Sequence, residues 1–190
     1  KLDFLFQDGI RIGKIFERFR GYQYFKYRAE RENRILKSCK YFMGRTEWDK
    51  NITSLLAPQA EYFYCSEALR PAFLESAGTW KPSNRKTSIL MTSISSPFYK
   101  GADTLLKTAK LLKDAGTDFE WHVYGVSNLD IASRKTGIKA SDVHVKIMGT
   151  ASETKIKEAL QNADAFVHPS YIDNSPNSIC EAQMIGTPVI

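Results

Sequence analysis

Residues 144–190 read HVKIMGTASETKIKEALQNADAFVHPSYIDNSPNSICEAQMIGTPVI. Apolar runs of strand length at His144–Met148, Ala165–His168 and Pro188–Ile190 alternate with helical-period segments at Glu153–Asn162 and Asn177–Ile185. The same rhythm extends upstream: a strand at Ser88–Ser93, a helix at Ala102–Ala115, a strand at Glu120–Tyr124 and a helix near Ile131–Thr136. Strands alternating with helices through short loops specify an α/β fold with a doubly wound parallel sheet. In such sheets ligands bind beyond the carboxyl ends of the strands, so the loops after Ser93, Tyr124, Met148 and His168 line the expected crevice.

The pattern breaks at Gly78–Lys86, GTWKPSNRK, which carries Gly, Pro, Ser, Asn and three basic residues. A domain boundary is expected there, separating residues 1–84 from 85–190. Before it, residues 10–38 place Ile12, Ile15, Phe16, Phe19 and Ile35 at helical spacing opposite Arg residues. Gly21 and the aromatic run Tyr22–Tyr27 are expected to divide this stretch into two helical pieces, with Tyr22, Tyr24, Phe25 and Tyr27 packed inside. Tyr41–Met43, ending at Gly44, reads as a buried strand. Thr46 then reads as the N-cap of a helix to Leu56, with Glu47 and Asp49 in its first turn and Pro58 just beyond its end. A strand at Glu61–Cys65 and a helix at Glu67–Ser76 complete this half.

The chain's 190 residues, 43% hydrophobic and 25% charged, are the composition of a globular core-forming protein, which excludes collagen, coiled coil and disorder. No stretch reaches the roughly 20 apolar residues that span a bilayer, and the opening KLDFLFQDG has no cleavage pattern. The formal net charge is +6, and 12 of the 27 Lys and Arg fall in residues 10–50 against five acids. This basic segment suits either a solvated helix face or an anionic partner such as lipid headgroups. Three scattered cysteines, Cys39, Cys65 and Cys180, argue against a disulfide framework and for a reducing compartment. His122, His144 and His168 lie equally far apart, so no zinc-type spacing is present and no metal is expected.

The loop HPSYIDNSPNSICEA, residues 168–182, is the richest in chemistry. Ser175 reads as an N-cap with Pro176 at the first helical position. The N–H groups and dipole of that helix start would stabilise an anion such as a diphosphate. Glu181 lies four residues after Asn177 and three after Ser178, so the three share a helical face. A carboxylate there suits a sugar diol; it is equally the place of an exposed helix residue. In SSPFYKGAD, Lys100 precedes Gly101 and a helix, where an ammonium would meet a bound phosphate.

Taken in order, YKGADTLLKTAKLL, VKIMGTASETKIKEALQNADAFVHPSY and DNSPNSICEAQMIGTPVI resemble the nucleotide-sugar-dependent glycosyltransferases of the GT-B fold, family 4, over residues 86–190. The resemblance implies that Glu181 holds the nucleotide ribose and that Lys100 meets the diphosphate. Asn174, Ser175, Pro176, Asn177 and Ser178 would form the loop cradling phosphate and sugar, and Gly149 falls among the donor-binding residues. Asp173 stands where the family has a Glu that contacts the sugar, which shortens the side chain by one methylene. Ser93, Ser95 and Ser96 stand where many members carry an Arg. The family's activity implies retaining, metal-independent transfer from a UDP- or GDP-sugar to a hydroxyl acceptor, in polysaccharide or glycoconjugate biosynthesis, with Asp173 and Lys100 as the catalytic pair and no cofactor. Residues 1–84 resemble the end of the acceptor-side domain less closely, with Arg45 and Glu47 either facing the cleft or serving as cap and surface residues.

An alternative from another class is a non-catalytic sugar-nucleotide binding module; within enzymes the nearest alternative is a GT-B epimerase acting on sugar nucleotides. Nucleic-acid binding lacks any motif here. The expected partners are the donor, a saccharide or lipid-linked acceptor and, through residues 10–50, a membrane surface; the expected place is the cytoplasm, peripheral to the inner face of the membrane. The chain starts without Met and stops on GTPVI. These ends lead us to expect a piece of a longer transferase, inactive on its own.

Overall fold

Two parallel strands, Tyr41–Gly44 (β1) and Glu61–Tyr64 (β2), pair in register from Tyr41 opposite Glu61 to Gly44 opposite Tyr64. The computed structural model describes residues 12–66, 68–95 and 99–190, and in it the chain divides into two compact units, one ending at Ser66 and the other running Glu67–Ile190. The opening KLDFLFQDG, Glu67 and Ser96 lie outside the described residues, as do the side chains of Ile12, Ile15 and Phe16.

The first unit starts with one continuous helix, Ile12–Ser38 (α1). Gly21 does not break it: a Gly in a helix interior costs about 1 kcal/mol but leaves the hydrogen-bond ladder intact, unlike Pro. Tyr22, Tyr24, Phe25 and Tyr27 are all more than half exposed, contrary to the packing expected of them. At 100° per residue these four positions spread around the helix, so no single surface covers them all. Phe19 and Ile35 are likewise half exposed.

The helix Glu47–Leu56 (α2) begins as the sequence predicts. Thr46 Oγ1 accepts from Asp49 N at 3.1 Å, and Asp49 Oδ2 accepts from Thr46 N at 3.2 Å and Arg45 N at 3.0 Å, a reciprocal capping box. Glu47 pairs with Lys50. The strand β1 is not buried as predicted, and β2 is no more so: Phe42 and Tyr62 are half covered, whereas Tyr41, Met43, Phe63 and Tyr64 are exposed. Successive strand residues face opposite sides, and among the described residues one side of the pair is covered.

In the second unit the helix expected over Glu67–Ser76 shrinks to Pro71–Leu74 (α3). Pro71 at its first position disfavours helical geometry at Arg70, which is extended at φ −61°, ψ 141°. The segment Gly78–Lys86 packs onto this unit: Gly78 N donates to Met184 O and Trp80 Nε1 donates to Ala163 O at 2.7 Å.

The remaining elements follow the predicted alternation: Ser88–Ser93 (β3), Ala102–Asp114 (α4), Phe119–Tyr124 (β4), Asp130–Thr136 (α5), Val145–Gly149 (β5), Glu153–Asn162 (α6), Ala165–Phe166 (β6) and Asn177–Ile185 (α7). The sheet runs β5-β4-β3-β6, all parallel, and a bridge from Phe166 to Val189 adds the last predicted strand as a single contact. Counted from β3 the order is 3-2-1-4-5, so direction of winding reverses between β3 and β6. One apolar cluster unites Leu105, Leu106 and Ala109 of α4 with Trp121 and Val123. The other unites Phe73, Leu160, Ala182 and Ile185 with Met91, Tyr124 and Phe166. Opposite parities of β4 thus serve the two clusters, which places helices on both faces of the sheet.

A buried polar relay crosses the central strands. Trp121 Nε1 donates to Thr92 Oγ1 at 2.9 Å, and that hydroxyl donates to Val167 O at 2.8 Å. Thr92→Val keeps the shape but orphans the buried Trp121 N–H and takes the hydroxyl from the part-buried Val167 O, which costs about 1–3 kcal/mol. A urea midpoint lowered accordingly checks this; an unchanged midpoint refutes it.

Candidate functional site

The reversal between β3 and β6 brings their following loops side by side. Gly101 has φ 73°, and a Cβ on it would lie 1.9 Å from Pro169 O, so only glycine lets the loops approach this closely. Tyr99 O accepts from Tyr171 N at 3.0 Å and from Ser170 Oγ at 3.3 Å, which fastens one loop to the other. Tyr171 Oη donates to Asp103 Oδ2 at 2.8 Å, and Lys135 Nζ reaches the same oxygen at 2.7 Å. Burial alone would raise the Asp103 carboxyl, but the Lys135 and Tyr171 hydrogen bonds outweigh it and hold the group below its ordinary value.

Lys100 and Asp173, separated by 73 residues, meet here as a hydrogen-bonded ion pair, with side chains only 16% and 20% exposed. His168 Nε2 stands 3.2 Å from Asp173 Oδ2, an ion-pair distance without hydrogen-bond alignment, and among the described residues neither buried ring nitrogen has a hydrogen-bond partner. The ring stacks on Phe166 at 6.5 Å. Burial pushes the His168 imidazole below its ordinary value; the Lys100 charge acts in the same sense, while the Asp173 carboxylate opposes it. His168 was not among the predicted site residues, although its place beside Pro169 and Ser170, just past the end of β6, marks it.

Beyond Asp173 the chain turns through Asn174 and Ser175 into α7. Pro176, not Ser175, is its N-cap, at φ −75°, ψ 117°, and no side chain caps the helix among the described residues. The turn closes through Pro176 O, which accepts from Ile179 N at 3.0 Å. The carbonyl that starts the helix therefore belongs to the proline, which shifts the cap by one residue. Asn177 and Ser178 open the first turn, which holds no acidic residue, so the positive end of the helix dipole is unopposed there.

Glu181 is buried, 6% exposed, rather than an exposed helix residue. Arg70 Nε and Nη2 donate to its Oε1 at 3.0 and 2.7 Å, and Arg70 Nη1 lies 3.4 Å from Glu153 Oε2. No sequence pattern flagged Arg70, since its partner lies 111 residues away; only its place before Pro71 hinted at a fixed conformation. Gly149 ends the edge strand β5 at φ 72°, where its carbonyl accepts from Gly125 N at 2.8 Å.

The model of the family described as Glycosyl transferases group 1 matches residues 85–190, more than half of the chain. The chain belongs to the group 1 glycosyl transferases. A curated relative, the amylovoran biosynthesis glycosyltransferase AmsK of Erwinia amylovora, is 31% identical over 99 residues, covering 48% of this chain and 24% of its own length. Among solved structures, WaaG, a glycosyltransferase involved in lipopolysaccharide biosynthesis, superposes with a TM-score of 0.62 at 18% identity, covering 96% of this chain and 51% of WaaG. Sucrose-phosphate synthase from Thermosynechococcus elongatus gives 0.65 at 14% identity, with coverages of 86% and 43%. Staphylococcus aureus TarM, solved with UDP, gives 0.62 at 16% identity, with coverages of 83% and 31%. The chain thus spans about a quarter of its curated relative and between 31% and 51% of these structures. Its second unit is the Rossmann-like half of the GT-B glycosyl transferase fold, and Lys100, Gly149, Asp173 and Glu181 all lie within the matched segment, whereas Arg70 precedes it.

Proposed function

We propose that this group 1 glycosyl transferase moves a sugar from a UDP- or GDP-sugar to a hydroxyl acceptor with retention of configuration, in polysaccharide or glycoconjugate biosynthesis. The observation that carries the reading is the Lys100–Asp173 pair, set where the strand order reverses and in the loop that leads into α7. The bond between the anomeric carbon and the diphosphate oxygen breaks, a bond to the acceptor oxygen forms, and the acceptor proton leaves on the departing diphosphate. Charge accumulates on that leaving group, and prearranged positive charge lowers the barrier most where charge develops. Lys100 exchanges Asp173 for the diphosphate, α7 offers its N-terminal dipole, and Asp173, so released, accepts from a hydroxyl of the sugar. In this scheme the cation and the helix supply the charge that a divalent metal supplies elsewhere. Glu181 accepts from the ribose hydroxyls.

Among the described residues no helix is long and apolar enough to cross a membrane. The test of the proposal is incubation of the full-length protein with UDP- and GDP-sugars and a saccharide acceptor, followed by NMR of the product anomeric proton. A new glycoside with the donor's anomeric configuration is the expected result. An inverted product contradicts retention, and epimerised donor without acceptor replaces transfer by epimerisation.

A further inference from the structure

Glu181 is a buried carboxylate whose counter-charge comes from Arg70, in the segment ahead of α3 and outside the stretch matched to the family. Three features fix that guanidinium. Pro71 confines the Arg70 backbone to its extended conformation. The guanidinium carbon lies 4.6 Å over the ring of Phe73, itself fully buried, so the planar group is held by stacking. Nη1 reaches Glu153 Oε2 at 3.4 Å, on the first residue of α6.

The grip on Glu181 is one-sided. Nε and Nη2 both end on Oε1, at 3.0 and 2.7 Å, instead of dividing between the two oxygens as in a parallel fork. Among the described residues none donates to Oε2. A carboxylate oriented through one oxygen keeps the other for new donors, and a vicinal diol supplies two.

We propose that Arg70 is a positioning residue for nucleotide recognition: it holds Glu181 through Oε1 so that Oε2 meets the 2′ and 3′ hydroxyls of the donor ribose. This rests on the reading of Glu181 as the ribose ligand. Arg70 itself touches no nucleotide. Its effect is selectivity for a ribonucleotide over its deoxy counterpart, because a preset acceptor left without its donor is costly.

The test titrates the chain and its R70Q and R70K variants with UDP, 2′-deoxy-UDP and 2′,3′-dideoxy-UDP, and with the guanosine series, by calorimetry, with thermal melts as a check on folding. The wild type is expected to prefer the ribo form over the dideoxy form by about tenfold or more. R70Q is expected to lose most of that ratio through weaker ribonucleotide binding, while its dideoxy affinity stays within about twofold; R70K, with charge but no planar fork, falls between. A wild-type ratio in R70Q reduces Arg70 to a structural ion pair and leaves the Glu181 reading intact. Tighter ribonucleotide binding in R70Q makes Arg70 an occupant of the ribose site and also overturns the proposal. No discrimination in the wild type removes the Glu181 reading and this inference with it. Should R70Q fail to fold, R70K alone decides: a reduced ratio supports the proposal and an unchanged ratio refutes it.

Discussion

Lys100→Ala weakens UDP and GDP binding by about 10- to 100-fold, the equivalent of roughly 1.5–3 kcal/mol for a hydrogen bond to a charged group. The upper end is expected, because the variant also leaves the Asp173 carboxylate, 20% exposed and deprived of its cation, in the place the diphosphate approaches. Two controls isolate the cause. Nucleosides without phosphate should bind both proteins alike, since Lys100 answers only the diphosphate. The double variant K100A/D173N should regain part of the lost affinity by removing the repulsion. Equal loss for nucleoside and diphosphate would show that the variant had disturbed the fold and not the charge.

The same variants move His168. Its imidazole sits below its ordinary value of about 6.5 through burial first, with Lys100 adding to the depression and Asp173 opposing it. Lys100→Ala therefore raises the pKa read from the His168 ring protons by NMR, and Asp173→Asn lowers it further. The consequence for stability has a definite sign. A histidine with a depressed folded value binds fewer protons folded than unfolded, so its penalty is absent well above pH 6.5 and grows as pH falls below it.

Glu181→Ala is expected to reduce nucleotide affinity by about 10- to 100-fold through loss of the ribose acceptor, with little loss of stability. The asymmetry follows from exposure. Arg70 is 45% exposed and keeps the Phe73 ring and Glu153 as neighbours, so its charge stays solvated and partnered once Glu181 is gone. Its pair with Glu181 is thus a half-exposed one on the cationic side, and the thermal midpoint should shift by no more than a surface ion pair's worth, about 0–1 kcal/mol. Calorimetry and a thermal melt on the one variant check both halves. Unchanged affinity would contradict the ribose role; a collapse of stability would contradict the account of Arg70's exposure.

The second unit was largely legible in the sequence because most of its elements, though not α3, carry a local signal. Ser152 ahead of α6 caps it by accepting from Lys155 N at 3.3 Å, and αL glycines close α5 and α7 at Gly137 and Gly186. Such signals act within a turn, so they fix Glu153–Asn162 and Asn177–Ile185 as predicted. The parallel, doubly wound sheet followed from alternation, whereas the strand order that puts Lys100 and Asp173 on neighbouring loops came from the structure. Long-range partners leave no such trace. Nothing near Glu181 in the chain announces that it is buried or that Arg70 neutralises it. Nor does local sequence settle α1, where one glycine and four aromatics suggested a break that helix propensity alone does not enforce. The exposed faces of β1 and β2 show the same limit: an apolar run reports strand character, and burial depends on what lies against it.

The central claim is that the loops after β3 and β6, with α7, form a site for a nucleoside diphosphate. Its most direct test is calorimetric titration of the chain with UDP and with GDP. A saturable one-to-one heat with at least one of them, weakened by Lys100→Ala and by Glu181→Ala, is the predicted result. Absence of any heat and of any thermal shift with either nucleotide, or binding that both variants leave untouched, would contradict it.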